Sequence, residues 1–409
     1  MNTVMIIAGE SSGELYGSLL ARELKQRDPD MRIIGVGGQR MQEAGVELIS
    51  TISDAFGLLE AVASLQKIKD TYKRVVAAMK ELSPRVLVLI DYPDFNLKVA
   101  GKAKSLGIQI LYYVSPQVWA WRKGRVRKIA KLVNRMAVIL PFEEKLYRDA
   151  GVPCEFVGHP IMEEIEAVLK ATVISQRSFI KNNDRCPTTD DLKYSELRSC
   201  FKSALGLNPE KPLLSLLPGS RPHELEKLLP VMRDVIRKIK SDAALKPLKE
   251  YQFCIPLAPN TDEHRYSLFF AQLNEEGVAI RKGESVRVLA ASDLAVVASG
   301  TATLQTAFLE VPMVVVYKLS PLTFHLGRRI VKVTHISLIN ILSGRTVVRE
   351  LLQEEANPEE IVKELARILR DTEYREDMLR QYRTIREQFQ GRSPSRRVAE
   401  IITGMIGRK

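Results

Sequence analysis

Short apolar segments with strand character alternate along the chain with longer segments in which apolar residues recur at helical spacing. They form two series. The first series is Val4–Ala8, Ile33–Val36, Val86–Ile90, Ile110–Val114 and Met136–Leu140, and the second is Leu213–Leu217, Tyr251–Pro256, Leu294–Ala298 and Val311–Tyr317. Strands that are buried on both faces of a parallel sheet form such runs, so the alternation predicts α/β domains with parallel sheets.

The two series predict two domains, because 409 residues exceed what a single hydrophobic core organises. We place one Rossmann-like domain at 1–165 and another at 203–375, facing each other across a cleft. The stretch 166–202 contains the turn-forming segments Asn182–Asp184 and Pro187–Asp191 and lacks a strand signal, which predicts a linker or an exposed insertion. The segment 376–409 has a helical pattern and is expected to pack back on the first domain.

The composition, with 45% hydrophobic and 27% charged residues, is typical of soluble globular proteins. No apolar run approaches the roughly 18 residues that a membrane span needs, and the first apolar run reaches Glu10 too soon for a signal peptide, so we expect a cytoplasmic protein. The four cysteines show neither CxxC nor metal-ligand spacing, which predicts no zinc site and no disulfide framework. The formal charge of +12 indicates an anionic partner: nucleic acid, an anionic lipid surface or a phosphorylated substrate.

Residues that directly follow the strands are the candidates for chemistry, because open parallel sheets bind ligands beyond the carboxyl ends of their strands. The first strand is followed by GESSGELYG at Gly9–Gly17, which matches neither a GxGxxG nor a P-loop pattern. In one interpretation, Ser11 and Glu14 form a capping box at a helix start. In the other, glycines spaced by four let the backbone approach a ligand or a neighbouring strand.

The strand that ends at Ile90 is followed by DYPDFN at Asp91–Asn96. In one interpretation this segment is a turn, capped by Asp91 and stiffened by Pro93. In the other, one of its carboxylates is a general base that removes a proton from an attacking hydroxyl group.

The next strand leads into Val114–Arg125, which contains both tryptophans of the chain and precedes further basic residues. Apolar Val126, Ile129 and Val133 recur within the basic run, which predicts an amphipathic helix with a basic, solvated face. Aromatic residues beside basic ones also suit an anionic lipid interface. The two interpretations are compatible.

Two turns of the second series are typical of a pyrophosphate site. Leu213–Leu217 leads into Pro218–Arg221 and then into a helix with one apolar stripe. Gly219 permits close approach, the helix start offers unpaired amides, and Arg221 can bind a phosphate bidentately. The alternative is an ordinary turn with a surface arginine. A second hydroxyl-rich helix start follows at Ser299–Gln305, and two such sites can neutralise a pyrophosphate without a metal ion.

A set of segments that spans nearly the whole chain is similar, in order, to the signatures of one enzyme family. The segments are GESSGE at Gly9–Glu14, DYPDFN at Asp91–Asn96, YVSPQVWAWRKGRVRKI at Tyr113–Ile129, LPFE at Leu140–Glu143, VGHP at Val157–Pro160, LLPGSR at Leu216–Arg221, SGTATLQ at Ser299–Gln305 and SLINILSGR at Ser337–Arg345. On these motifs the chain resembles the lipid-A-disaccharide synthases, which form glycosyltransferase family 19.

The resemblance implies a GT-B fold and transfer of 2,3-diacylglucosamine from UDP to 2,3-diacylglucosamine 1-phosphate, which forms a β-1,6-linked disaccharide with inversion. No DxD motif or His/carboxylate cluster follows a strand, so we expect a reaction without a metal ion or cofactor. We therefore expect these two substrates and an anionic membrane surface as partners, no nucleic acid, and a peripheral location at the inner face of the inner membrane. Whether the chain forms a homo-oligomer is left open. A UDP-sugar epimerase or a lipid II type glycosyltransferase is the alternative within the fold, although the first loop is not GGxGGH-like. A nucleic-acid-binding protein would explain the charge but not the phosphate turns.

The resemblance also implies roles for individual residues. Asp94 is the expected general base, with Asp91 as its alternative. Ser12 and Gly13 are expected on the acceptor side, Glu14, Asn96, Ser115, Trp119 and Arg122 as further substrate contacts, and Gly219, Ser220, Arg221, Ser299, Gly300, Thr301, Thr303, Gln305, Asn340 and His159 around the nucleotide. The aromatic basic segment and Phe56–Leu59 are expected to meet the lipid surface.

The chain departs from the family pattern at Gln305, where the family often has a glutamate and related GT-B enzymes bind ribose hydroxyls through a carboxylate. An amide can still form hydrogen bonds with those hydroxyls. Glu14 replaces the usual aspartate, and Ile339 replaces a proline. The stretch Ala171–Glu196 is longer than usual and is interpreted as a surface insertion.

Overall fold

A computed structural model describes residues 2–51, 61–116, 124–177, 194–318 and 334–407. The chain divides into two compact units. The first unit consists of Met1–Pro160 and Gln390–Lys409, and the second of Ile161–Phe389. Each unit is built around one parallel sheet.

The sheet of the first unit has seven strands. They are β1 (Thr3–Ala8), β2 (Arg32–Gly37), β3 (Glu47–Thr51), β4 (Val86–Ile90), β5 (Gln109–Tyr113), β6 (Arg135–Val138) and β7 (Cys154–Phe156). Their spatial order is β3-β2-β1-β4-β5-β6-β7, and neighbouring strands are parallel. The strand order reverses between β1 and β4, where an open sheet binds its ligands.

Helices connect these strands, as parallel pairing requires. Those of the first unit, up to its last strand, are α1 (Ser11–Arg27), α2 (Gln39–Glu43), α3 (Ala61–Leu82), α4 (Pro93–Ser105), α5 (Gly124–Leu132) and α6 (Pro141–Arg148). Every residue of β1 and β4 is buried, which is why both strands are apolar throughout apart from Thr3 at the start of β1.

The sheet of the second unit has six strands. They are β8 (Leu213–Leu217), β9 (Gln252–Leu257), β10 (Val278–Lys282), β11 (Leu294–Ala298), β12 (Met313–Tyr317) and β13 (Glu350–Leu352). Their order is β10-β9-β8-β11-β12-β13, so the reversal here lies between β8 and β11. The carboxyl ends of β8 and β11 are therefore the expected ligand positions of this unit.

The helices of the second unit continue the numbering. They are α7 (Ile161–Arg177), α8 (Tyr194–Ala204), α9 (Pro222–Ser241), α10 (Lys246–Lys249), α11 (Ser267–Glu275), α12 (Ser285–Ala291), α13 (Thr301–Phe308), α14 (Leu338–Ser343), α15 (Pro358–Arg370) and α16 (Thr372–Glu387). The apolar stripe predicted for α9 is confirmed, because Leu225, Leu228, Met232, Val235 and Ile239 are all buried.

The last helix, α17 (Pro394–Ile406), packs on the first unit. Nη2 of Arg27 lies 3.0 Å from Oε1 of Glu400, and Nε2 of Gln109 donates to the carbonyl of Met405 at 2.9 Å. The prediction of a closing helix that returns to the first domain is thus confirmed. The returning segment begins at Gln390, while α16 lies in the second unit.

All the predicted strands are present, whereas β3, β7, β10 and β13 were not predicted. The stretch predicted as a linker or insertion carries part of α7 and most of α8, which belong to the second unit, and its residues 178–193 lie outside the described part. Among the helices of the described segments, none is long and apolar enough to cross a membrane.

Candidate active site

The capping box predicted for the helix start after β1 is wrong. The residue at the N-cap is Glu10, without a side-chain cap, and helix α1 begins at Ser11. The carboxylate of Glu14 instead accepts a hydrogen bond from the amide of Arg40 at 2.8 Å, at the start of α2. Gly38 makes this contact possible, since a Cβ atom there would lie 2.4 Å from Oε1 of Glu14. Glu14 therefore has a structural partner in α2.

The glycines of this segment allow α1 to approach β4 and the turn that follows it. A Cβ atom on Gly9 would lie 2.5 Å from Cγ of Tyr92, and one on Gly13 would lie 3.3 Å from Cγ2 of Ile90. Of the two predicted reasons for these glycines, close approach to a neighbouring strand is confirmed. Ser12 lies half-exposed in the same helical turn.

Strands β4 and β5 both end in strained backbone. Asp91, Tyr92 and Val114 have φ angles of +47°, +42° and +65°, a left-handed conformation that costs residues other than glycine about 1–2 kcal/mol each. The two ends are joined, because the amide of Asp91 donates to the carbonyl of Val114 at 3.2 Å. Such strain is concentrated at functional sites.

Two buried side chains hold this strained turn. Nδ2 of Asn96 donates to the carbonyls of Asp91 at 2.7 Å and Ile90 at 3.2 Å. Oη of Tyr112 donates to the same Asp91 carbonyl at 2.7 Å. Asn96 is fully buried, so in the structure this predicted substrate contact bonds the backbone of the turn instead.

Asp94 stands in the first turn of α4, directly after Pro93. Its side chain is 81% exposed and forms an ion pair with Arg125 of α5, whose side chain is 19% exposed. The residue at the N-cap of α4 is Tyr92, so the interpretation of Asp91 as the cap is wrong. A carboxylate at this position is favoured by the positive end of the helix dipole, and its exposure leaves it open to a substrate hydroxyl.

A further carboxylate lies near this turn. Burial raises the pKa of Tyr92, and the charges of Glu10 and Asp94 raise it further. Glu10 precedes α1 and was not singled out from the sequence. The carboxyl ends of β1 and β4 thus carry three acidic residues, Glu10, Asp91 and Asp94.

Ser115 is buried at the end of β5 rather than open to a substrate. Its Oγ lies 2.7 Å from Oη of Tyr147 and donates to the carbonyl of Pro116 at 2.9 Å. Burial raises the pKa of Tyr147, so this hydroxyl stays protonated. The predicted contacts Trp119 and Arg122 lie outside the described residues, as does Phe56–Leu59.

His159 is buried in the first unit, with 1% exposure. Its ring stands edge-on to that of Tyr16, at a centroid distance of 5.8 Å. Burial lowers the pKa of His159 to about 3, so the imidazole is neutral near pH 7. The structure thus places it in the unit that does not contain the two helix starts predicted to bind phosphate.

In the second unit, the turn after β8 forms hydrogen bonds with a side chain from the first turn of α9. The amides of Ser220 and Arg221 both donate to Oε2 of Glu224, at 3.0 and 3.2 Å. The expectation of unpaired amides at this helix start is therefore wrong. The side chain of Arg221 is 47% exposed, with Nη1 3.7 Å from Oε1 of Glu224. Burial raises the pKa of Tyr317, at the end of β12, and Glu224 raises it further while Arg221 opposes the shift.

The second helix start, after β11, depends on a glycine. Gly300 has φ +148° and ψ −156°, a region that essentially only glycine adopts. Oγ of Ser299 donates to the carbonyl of Ile336 at 3.1 Å, and the fully buried Thr303 donates to the carbonyl of Gly300 at 2.7 Å. Thr303 closes the first helical turn, whereas Thr301 is half-exposed at the first position of α13.

Gln305 lies one turn further along α13. Its Nε2 donates to Oε2 of Glu164, on α7, at 2.9 Å. Both side chains are half-buried. The amide that replaces the usual carboxylate thus has a carboxylate from another helix beside it.

Asn340 is fully buried and uses both ends of its amide within the chain. Nδ2 donates to the carbonyl of Val348 at 2.9 Å and to Oε1 of Glu350 at 2.8 Å. Oδ1 accepts from the amides of Val347 and Val348 at 2.8 and 3.0 Å. These four bonds fill its hydrogen-bonding capacity in this structure; the contact of Asn340 with the nucleotide stays a prediction.

The partners Tyr112, Glu164, Glu224 and Glu350 were not singled out from the sequence. A local signal existed only for Glu224, an acid three residues after the N-cap. The others bond to residues distant in the chain, which no local pattern shows. Over the described residues, no group of three His, Cys, Asp or Glu side chains is arranged to hold a metal ion; metal independence stays a prediction.

The sequence matches the family model for lipid-A-disaccharide synthetase over residues 4–190 and 186–402. The lipid-A-disaccharide synthase of Trichlorobacter lovleyi is 38% identical over 405 residues, which cover 98% of this chain and 97% of the relative. Among solved structures, UDP-GlcNAc 2-epimerase from Neisseria meningitidis, bound to UDP-GlcNAc, has a TM-score of 0.63 at 10% identity and covers 100% of both chains. The glycotransferase of kitacinnamycin has a TM-score of 0.58 at 16% identity and covers 98% of both chains. These two likenesses show the fold alone, a two-domain α/β fold of the GT-B kind.

Proposed function

The chain belongs to the lipid-A-disaccharide synthetase family, and from this premise we propose that it transfers 2,3-diacylglucosamine from UDP-2,3-diacylglucosamine to 2,3-diacylglucosamine 1-phosphate. The products are the β-1,6-linked disaccharide 1-phosphate and UDP. The enzyme is a glycosyltransferase, so its chain must supply a base for the acceptor hydroxyl and positive groups for the departing UDP.

Asp94 is the proposed base. Its carboxylate takes the proton of the acceptor 6-hydroxyl while that oxygen attacks the anomeric carbon of the donor on the face opposite UDP, which gives inversion. The observation that carries this assignment is an exposed carboxylate, 81% open, at a helix start beside strained backbone. Asp91 is the alternative, since it directly follows β4.

Arg221 is the proposed ligand of the leaving pyrophosphate. Its guanidinium is half-exposed at the start of α9, and a hydrogen bond to a charged group contributes about 1.5–3 kcal/mol. The start of α13 at Thr301 is the proposed second contact.

Since these groups neutralise the charge of the leaving pyrophosphate, we predict that EDTA leaves turnover unchanged. Loss of turnover that magnesium restores would contradict a metal-free mechanism.

The acceptor and donor carry acyl chains, so we propose that the enzyme binds peripherally to the anionic inner face of the inner membrane. Buried acyl groups contribute about 0.8 kcal/mol per methylene, which favours a site at the bilayer surface. Helix α5 supports this proposal: Val126 and Ile129 are buried, while Arg127, Lys128 and Lys131 are exposed. Exposed Lys98 and Lys104 of α4, which packs against α5, extend the basic surface.

Mass spectrometry of the products tests the proposed reaction. The purified enzyme is incubated with UDP-2,3-diacylglucosamine and 2,3-diacylglucosamine 1-phosphate, and each substrate alone is the control. We expect the mass of the disaccharide 1-phosphate, with UDP in equal amount, only when both substrates are present. Release of UDP without a disaccharide, or an isomerised donor, would contradict the proposal.

A further inference from the structure

Glu224 occupies the position that an anion would take at the start of α9. One of its carboxylate oxygens, Oε2, accepts from the amides of Ser220 and Arg221 at 3.0 and 3.2 Å. The side chain is 7% exposed, so it is part of the turn rather than a mobile surface group. A phosphate that reaches this turn therefore meets two amides that are already bonded.

The turn is shaped around this carboxylate. Gly219 has φ +99°, and a Cβ atom on it would lie 2.2 Å from Oε2 of Glu224. Any other residue at 219 would therefore displace the carboxylate and also strain the backbone. Gly219 serves the approach of Glu224, whereas the sequence suggested that it serves the approach of a ligand.

The second oxygen of Glu224 faces the arginine of the same turn. Oε1 of Glu224 lies 3.7 Å from Nη1 of Arg221, whose side chain remains 47% exposed. The carboxylate thus fixes the backbone of the turn with one oxygen and attracts the guanidinium with the other.

We propose that Glu224 is a positioning residue for the UDP pyrophosphate. It holds the Gly219–Arg221 turn and the guanidinium of Arg221 in place before UDP binds, so that the phosphate is bound by Arg221 and not by the amides of residues 220 and 221. Preorganisation of this kind strengthens binding because the group need not be ordered when the ligand arrives. The inference rests on the proposed role of Arg221 as a pyrophosphate ligand.

The contrary interpretation is that Glu224 is a placeholder which the phosphate displaces. The two interpretations predict opposite changes in UDP affinity when Glu224 is removed. If Glu224 positions Arg221, its removal weakens UDP binding; if it only competes with phosphate for the amides, its removal strengthens UDP binding, because two donors are freed and a negative charge is lost.

The experiment measures UDP affinity by titration calorimetry on the full chain, with circular dichroism and melting curves as folding checks. We expect Arg221→Ala to weaken UDP about 10- to 100-fold and Glu224→Ala about 10-fold, with the double variant no weaker than Arg221→Ala. Glu224→Gln, which keeps an acceptor for the amides, is expected to lose less than Glu224→Ala. Glu226→Ala, an exposed acid on the same helix, is the matched control and is expected to bind UDP normally.

Tighter UDP binding in Glu224→Gln or Glu224→Ala would overturn the inference in favour of the placeholder. Additive losses in the double variant would also overturn it, because Glu224 would then act independently of Arg221. If Glu224→Ala does not fold, the sign of the change in Glu224→Gln decides. Normal UDP affinity in Arg221→Ala would instead contradict the proposed function of Arg221 itself.

Discussion

Asp94 and Arg221 each form an ion pair and have exposed side chains, while Asn96, Thr303 and Asn340 are fully buried and bonded within the chain. This division decides which polar residues can meet a substrate. A buried group that leaves its partner for a ligand also leaves that partner unpaired, which costs about 1–3 kcal/mol. Substitution of the exposed charged residues, Asp94 and Arg221, is therefore expected to act directly on substrate binding or chemistry.

For Asp94→Asn we predict a turnover about 10²- to 10⁴-fold lower, because the amide keeps the shape and loses the base. UDP affinity is expected to stay within twofold. Turnover assays and UDP titration measure the two effects. Arg125→Gln is the matched control, since it breaks the same ion pair but keeps the carboxylate. A similar loss in that control would assign the effect to the ion pair, and a large loss only in Asp91→Asn would move the base there.

For His159 we predict a stability that depends on pH. Its pKa of about 3 in the folded chain lies below the ordinary 6.5, so the unfolded chain binds the proton first. The contribution of neutral His159 to the free energy of unfolding is therefore fully present above pH 6.5. It falls as the pH drops towards 3, by up to about 1.4 kcal/mol per pH unit.

Urea denaturation at pH 7, 6 and 5 checks this prediction. His159→Phe is expected to lose less stability on acidification than the unsubstituted chain. His264→Gln, which changes an exposed histidine, should behave like the unsubstituted chain. Equal slopes for His159→Phe and the unsubstituted chain would show that burial of His159 does not govern the acid response.

At the scale of elements, the turn from β4 into α4 is held by side chains from two directions. Asn96 reaches back from α4, and Tyr112 reaches across from the neighbouring strand β5. Both donate to the carbonyl of Asp91. The left-handed backbone conformation of Asp91 sets where α4 begins. The position of Asp94 therefore depends on the pairing of β4 with β5.

Tyr112→Phe removes one of these two bonds and leaves the ring in place. We predict a loss of about 0.5–1.5 kcal/mol in unfolding free energy and a turnover lower by about 10-fold, because the turn that carries Asp94 is less constrained. UDP affinity should not change. Melting curves, turnover and UDP titration separate these effects, with Tyr382→Phe, buried in the second unit, as the control. Full turnover in Tyr112→Phe would remove the hydroxyl from the positioning of Asp94.

At the scale of the whole molecule, part of the net charge of +12 lies on one exposed basic surface. Exposed Arg127, Lys128 and Lys131 lie on one helix whose apolar face is buried against the first unit. Such a surface attracts anionic lipid by about 1 kcal/mol for each basic residue near it. The attraction is screened by salt, with a Debye length of about 8 Å at physiological ionic strength.

We predict that changing Arg127, Lys128 and Lys131 to alanine lowers binding to phosphatidylserine-containing vesicles about 10-fold or more. The matched control changes exposed Lys211, Lys246 and Lys249 of the second unit to alanine, with the same change in net charge. Vesicle sedimentation at low and high salt measures both. Equal loss in the two triple variants, or binding that is independent of salt and of lipid charge, would contradict a specific basic surface.

The sequence by itself determined the central strands, the two parallel sheets and the family. Central strands are buried on both faces, so their apolar runs are visible locally; the four unpredicted strands, β3, β7, β10 and β13, are the four sheet edges, where polar residues are tolerated. The sequence also located the strand ends at which the chemistry is proposed. Only the tertiary structure decided which polar residues there remain open, because the bonds of Gln305 to Glu164 and of Tyr112 to Asp91 join segments far apart in the chain. Local patterns record burial and turns, whereas these pairings follow from packing.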